Sequence, residues 1–116
     1  MAKFLTLLVE NDALQREVLA EVLKDDGFEV VECSTAEAAE LVVSTSGTEL
    51  RAVITDQHLD GQMLGSELAS FARRKYPGLN VIMISGQPKP QLPPGATFLP
   101  KPFRPADLLE VVRSFS

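Results

Sequence analysis

Five short apolar runs, each followed by a longer stretch of different periodicity, constrain this chain more than any other feature. They are Phe4–Val9, Phe28–Glu32, Ala52–Thr55, Val81–Ile84 and Ala96–Leu99. Most are too continuously apolar to be half-exposed, which suits strands covered on both faces. Helix-period segments lie between them. The first begins at Asp12 with Gln15 as its capping-box partner, and its spacing places Leu14, Val18, Leu19, Val22 and Leu23 on one face until Gly27 stops it. A second begins at Ser34, with Glu37 in the same capping relation, and carries Ala38, Leu41 and Val42. A third runs from about Leu64 through Leu68, Phe71 and Ala72 to Pro77-Gly78. The last has Pro105 in its first turn and Leu108, Leu109, Val112 and Phe115 as an inward stripe.

Strands alternating with amphipathic helices predict a parallel sheet with helices on both faces, because each right-handed crossover lays its helix back on the sheet. Five strands favour an α/β, doubly wound, flavodoxin-like fold with strand order 2-1-3-4-5. One crossover breaks the pattern. The segment Ser85–Gly95 holds four prolines, Pro88, Pro90, Pro93 and Pro94, each removing a backbone donor, so a shortened or missing fourth helix is expected. A length of 116 residues leaves room for one core and one domain, residues 1–116. A start so close to the first strand suits a free-standing protein and equally a piece of a longer one. The net charge of -5 argues against direct contact with nucleic acid or an anionic membrane. The single cysteine, Cys33, makes no intramolecular disulfide, and with His58 as the only histidine there is no zinc ligand set, so a cytoplasmic, reducing setting is expected.

In an open parallel sheet, ligands bind beyond the carboxyl ends of the strands. There the chain places Glu10, Asn11 and Asp12 after the first strand, Asp56 after the third, Ser85 and Gly86 after the fourth, and Pro100-Lys101-Pro102 after the fifth. Gathered carboxylates repel by up to about 4 kcal/mol per pair at 4 Å and an effective dielectric of 20, unless a cation relieves them. Magnesium, which takes few protein oxygens and bridges carboxylates to phosphate oxygens, is the natural relief. Lys101 can pair with a carboxylate at rest and hold a phosphoryl oxygen later, and Ser85 can donate to another. A carboxylate nucleophile forming an aspartyl phosphate is a coherent mechanism for such a set.

Four motifs together, Leu8-Val9-Glu10-Asn11-Asp12, Val53-Ile54-Thr55-Asp56, Ile82-Met83-Ile84-Ser85-Gly86 and Phe98-Leu99-Pro100-Lys101-Pro102-Phe103, resemble the receiver domain of two-component response regulators over the whole chain. The resemblance implies a signalling phosphoacceptor, not a conventional enzyme, in which Asp56 takes phosphate from a histidine kinase or histidine phosphotransfer protein. It implies that Glu10, Asn11, Asp56 and the backbone carbonyl of His58 hold Mg2+. It assigns Ser85 and Lys101 to the phosphoryl oxygens, and Ser85 and Phe98 to the switch.

Three departures from the family pattern stand out. Asn11 occupies a position usually held by aspartate, so magnesium affinity is expected to fall. The segment Leu59–Gly65 replaces the usual Met-Pro turn with a longer, glycine-containing one, and the proline-rich fourth crossover alters the face used for dimers and outputs. Read singly, Asp12 is a helix cap, the His58 ring a solvent-facing loop group, Cys33 a small core filler, and Phe98 either a switch or plain packing. The rival reading is a receiver-fold module that binds proteins independently of phosphorylation, motivated by Asn11 and the degenerate crossover. A flavin- or nucleotide-binding enzyme fits poorly, since the loop after the first strand is acidic and lacks phosphate-cradling glycines.

Overall fold

A computed structural model describes residues 3–115; residues 1, 2 and 116 of the expected domain span lie outside the described residues. The strands are β1 (Lys3–Val9), β2 (Phe28–Cys33), β3 (Leu50–Asp56), β4 (Asn80–Ser85) and β5 (Thr97–Pro100). The helices among the described residues are α1 (Ala13–Asp25), α2 (Ala36–Ser46), α3 (Gly65–Lys75) and α4 (Pro105–Arg113). All neighbouring strands are parallel, in the order β2-β1-β3-β4-β5, as the alternation predicts. Between β4 and β5 the chain crosses without a helix, which follows from its prolines.

The two faces of the sheet carry separate cores. Leu7, Val9 and Val53 face α2 and α3, meeting Ala36, Ala39, Val43, Leu68 and Ala72. Leu8, Ile54, Ile82 and Ile84 face the other way, against Leu19, Ala20 and Leu23 of α1 and Leu108 and Val112 of α4. Successive residues of one strand thus feed opposite layers, which is why the strands read as continuous apolar runs.

Two helix faces differ from expectation. On α1, Leu14 is 71% and Val18 44% exposed, while Leu19, Ala20 and Leu23 are buried. At about 100° per residue, Leu14 and Val18 form a stripe of their own, roughly opposite the Leu23 side of the helix. On α2 the N-cap is Thr35, not Ser34: its Oγ1 accepts the Ala38 N–H at 3.1 Å. Its buried face is Ala36, Ala39 and Val43, with Val42 packed at the margin; Ala38 is exposed and Leu41 is 68% exposed. A bonded Thr35 cap starts the helix one residue later than the capping-box pattern suggests, and the short side chains of Ala36 and Ala39 let α2 approach the sheet closely.

Candidate functional site

The carboxyl edge of the sheet gathers the expected residues by backbone register. Val9 lies beside Thr55 in the β1–β3 ladder and Asp56 beside Ile84 in the β3–β4 ladder, so Glu10, Asp56 and Ser85 emerge as near neighbours. Asp56 and Ser85 are the last residues of their strands, not the first of their loops. Ser85 pairs with Pro100, and its carbonyl accepts the Lys101 N–H at 2.8 Å, which fixes where the lysine starts. Proline is tolerated at Pro100 because it ends an edge strand.

Lys101 Nζ lies 2.6 Å from Asp56 Oδ2 and 3.4 Å from Glu10 Oε2, bridging the two carboxylates. Asp56 Oδ1 accepts the Gln57 N–H at 2.7 Å. Glu10 is 1% exposed, and its Oε1 accepts the Asp12 N–H at 3.2 Å. The Asn11 side-chain amide lies 3.2 Å from Glu10 Oε1 and 3.3 Å from the His58 carbonyl oxygen, close enough to donate to both when its nitrogen faces inward. Ser85 is buried, and its Oγ accepts the Gln87 N–H at 3.1 Å.

Burial pushes the Glu10 carboxyl above the ordinary carboxylate range, and the nearby Asp56 charge adds to this; the Asp12 N–H and the Lys101 ammonium oppose it without cancelling it. For Lys101, burial pulls the pKa down, but the hydrogen bond to Asp56 and the charges of Asp56 and Glu10 outweigh it and hold the ammonium above its usual value. The edge is therefore a pair of carboxylates shared by one firmly charged lysine.

The remaining expected residues fall as follows. Asp12 caps α1, its Oδ1 accepting the N–H groups of Leu14 and Gln15 at 3.0 and 3.1 Å. The His58 ring is exposed while its carbonyl faces Asn11. Cys33 is half-buried against the α2–α3 core, and burial raises its thiol pKa. Phe98 pairs with Met83 and is half-buried; Leu99 beside it packs on the α1–α4 core, so the strand's alternation turns Phe98 toward the face whose crossover has no helix.

Two supporting residues escaped the sequence reading. Gln57 is buried, and its Oε1 accepts the Ser66 N–H at 2.7 Å, satisfying an end group of α3. Gly65 approaches Asp56 so closely that a Cβ there would lie 1.9 Å from the Asp56 carbonyl oxygen. The only signal for Gln57 was its place beside Asp56; for Gly65 it was a glycine at a helix start.

Glu10, Asp56, the Asn11 side-chain oxygen and the His58 carbonyl offer an all-oxygen donor set of the kind a hard divalent cation takes. Two of these donors, the Asn11 amide and the His58 carbonyl, are neutral, and among the described residues no cluster of three His, Cys, Asp or Glu side chains suits a metal.

A doubly wound sheet with paired carboxylates, a lysine and a serine at its carboxyl edge defines the receiver class of two-component signalling modules. The response regulator receiver domain family matches residues 6–113, and the chain belongs to that family. It is a signalling module rather than a conventional enzyme. The chain is 34% identical over 112 residues to the response regulator protein FleR of Pseudomonas aeruginosa, covering 91% of this chain but 23% of that protein. The receiver domain of the hybrid histidine kinase CckA superposes with a TM-score of 0.84 at 31% identity, over 96% of this chain and 97% of that one. A chain of the CheX–CheY–BeF3–Mg2+ complex from Borrelia burgdorferi superposes with a TM-score of 0.86 at 26% identity, over 97% of this chain and 89% of that one. No helix among the described residues is long and apolar enough to cross a membrane.

Proposed function

We propose that this receiver, a single domain over residues 1–116 acting in the cytoplasm, accepts a phosphoryl group on Asp56 from a phosphohistidine of a histidine kinase or phosphotransfer protein. The observation that carries the reading is the Lys101 ammonium held between Asp56 and Glu10. In the transfer, an Asp56 carboxylate oxygen forms a bond to phosphorus as the phosphorus–nitrogen bond breaks, and the electron pair of that bond leaves on the imidazole. Lys101 exchanges its contact with Asp56 for a phosphoryl oxygen, and Ser85 donates its hydroxyl to another, so charge developing on the group meets fixed donors.

Glu10, Asn11, Asp56 and the His58 carbonyl are the groups that would hold Mg2+, which when bound offsets the charge of the transferring group. Asn11 supplies an oxygen without a charge, so the affinity is expected to be lower than with aspartate there. For the phosphodonor, exposed Leu14 and Val18 line a depression with Phe103 and Pro105 close to Lys101, an apolar landing surface beside the reacting edge.

Intact mass after incubation with acetyl phosphate, with and without magnesium, tests the reading. The native chain is expected to gain one phosphoryl group, Asp56→Asn none, and Asn11→Asp to need less magnesium. The Asn11 substitution and the helix-free crossover also favour a second reading, a receiver-fold module that binds its partner without phosphate. Failure of both the native chain and Asn11→Asp to label, with acetyl phosphate and with phosphorylated kinase, would move the assignment there.

A further inference from the structure

The loop between β3 and α3 carries the His58 carbonyl past the reacting edge, and one strong contact of this loop takes no direct part in phosphoryl transfer. Glu37, in the first turn of α2, accepts through Oε2 the backbone N–H groups of Gln62 at 2.9 Å and Met63 at 3.1 Å. A β-bridge between Thr35 and Asp60 ties the same two segments together. Gly61 makes the turn between them with a φ of 90°, and a Cβ there would lie 2.7 Å from Glu37 Oε1. That backbone state disfavours L side chains, so glycine is what lets the loop wrap closely around the carboxylate.

The rest of the loop is equally constrained. The Gly65 N–H donates to the Gln57 carbonyl at 2.9 Å, and Gly65 lies against the Asp56 carbonyl. Leu59 and Met63 pack on the α2–α3 core. His58 thus sits between an anchor at the Asp56–Gly65 contact and a second at the Glu37 carboxylate, which leaves its backbone few alternatives. The N–H of Gln62, then Glu37's own N–H and that of Met63, hold the Glu37 carboxyl below its ordinary pKa, so it stays a charged acceptor throughout the neutral range.

We propose that Glu37 is a positioning residue for a divalent-cation site: its carboxylate, bonded to the Gln62 and Met63 N–H groups across the Gly61 turn, keeps the His58 carbonyl where it can serve a divalent cation beside Asp56. The inference rests on the magnesium-assisted reading of the site. It also explains the longer, glycine-containing turn, which creates the pair of inward N–H groups that Glu37 fills.

The test compares native protein, Glu37→Ala and Glu37→Gln, each isotopically labelled and titrated with magnesium chloride while the backbone amide signals of residues 56–63 are followed. Amide exchange at Gln62 and Met63, thermal denaturation and acetyl phosphate labelling by intact mass are measured on the same samples. Removing an outer group that orients a ligand costs about 10-fold in metal affinity, the rise expected in the magnesium midpoint of Glu37→Ala. Glu37→Gln, which keeps an acceptor oxygen but not the charge, is expected to fall between the two and remains informative if the alanine variant unfolds. A purely structural role would lower the melting temperature and the protection of Gln62 and Met63 without moving the magnesium midpoint, and that result overturns the proposal. Native protein that labels, beside variants with an unchanged midpoint, sinks the role of Glu37 alone. Native protein that binds magnesium but never labels, with a shifted midpoint in Glu37→Ala, sinks the phosphoacceptor reading and leaves Glu37 in place. No magnesium response in the native chain overturns both.

Discussion

Glu10 has a chemistry opposite to that of an ordinary paired carboxylate. Its folded pKa is raised, chiefly by burial, so the native state binds its proton more tightly than the unfolded chain does. The sign follows: this group favours folding below the unfolded value near 4.5, and that contribution is lost as pH rises through the higher folded value. At neutral pH, ionised Glu10 therefore costs stability. Glu10→Gln is expected to raise the stability of the magnesium-free protein at pH 7, with the gain shrinking toward pH 4. Urea denaturation at several pH values checks this; a loss of stability at pH 7 would mean that the Lys101 contact outweighs the burial of the charge. Lys101 has the complementary behaviour, its raised pKa contributing stability below its ordinary 10.5 that is lost only as pH climbs through the higher folded value. The lysine thus stays charged wherever the site would work.

Among the elements, α1 divides its apolar residues between two tasks. Leu23 is fully buried in the core beside Leu8 and Leu108, whereas Leu14 is largely open to solvent. Leu23→Ala is expected to cost about 2–5 kcal/mol of stability. Leu14→Ala is expected to stay within about 0.5 kcal/mol of native stability while slowing phosphotransfer from a kinase. Denaturation midpoints together with a phosphotransfer time course separate the two; a large stability loss for Leu14→Ala would return that side chain to the core. The apolar spacing of α1 and α2 was plain in the sequence, but which stripe faces the sheet was not, because both stripes obey the same helical period. On α2, Ser34 and Thr35 are both competent caps, and only the completed Thr35 hydrogen bond decides between them. The Glu37 contact was hidden for a different reason: its partners are 25 and 26 residues away, and backbone N–H groups carry no side-chain signature.

For the molecule as a unit, any ligand that binds only the native state stabilises it by an amount that grows with the logarithm of one plus its concentration over the dissociation constant. Magnesium is expected to raise the melting temperature of the native chain, and more so that of Asn11→Asp at equal concentration; saturation a hundredfold above the dissociation constant corresponds to about 2.7 kcal/mol. Without magnesium, Asn11→Asp is expected to melt below native, because it adds a third carboxylate beside Glu10 and Asp56, which share the one Lys101 ammonium. Thermal denaturation across a magnesium series checks both directions, and equal shifts in the two proteins would remove Asn11 from the metal argument. The alternation of strands and helices, the loss of a helix in the proline-rich crossover, and the gathering of Glu10, Asp56, Ser85 and Lys101 at one edge are all legible in the order of residues alone. These follow from local periodicity, from proline's missing donor, and from the rule that parallel strands present their carboxyl ends together. Which stripes of α1 and α2 are buried, how Gln57 and Gly65 seat α3 against Asp56, and the hold of Glu37 on the β3–α3 loop emerge only in the folded chain. The buried stripes are chosen by apolar packing against strands elsewhere in the chain, and the Glu37 contact by groups 25 and 26 residues apart meeting at hydrogen-bonding distance, neither of which a local pattern of residues encodes.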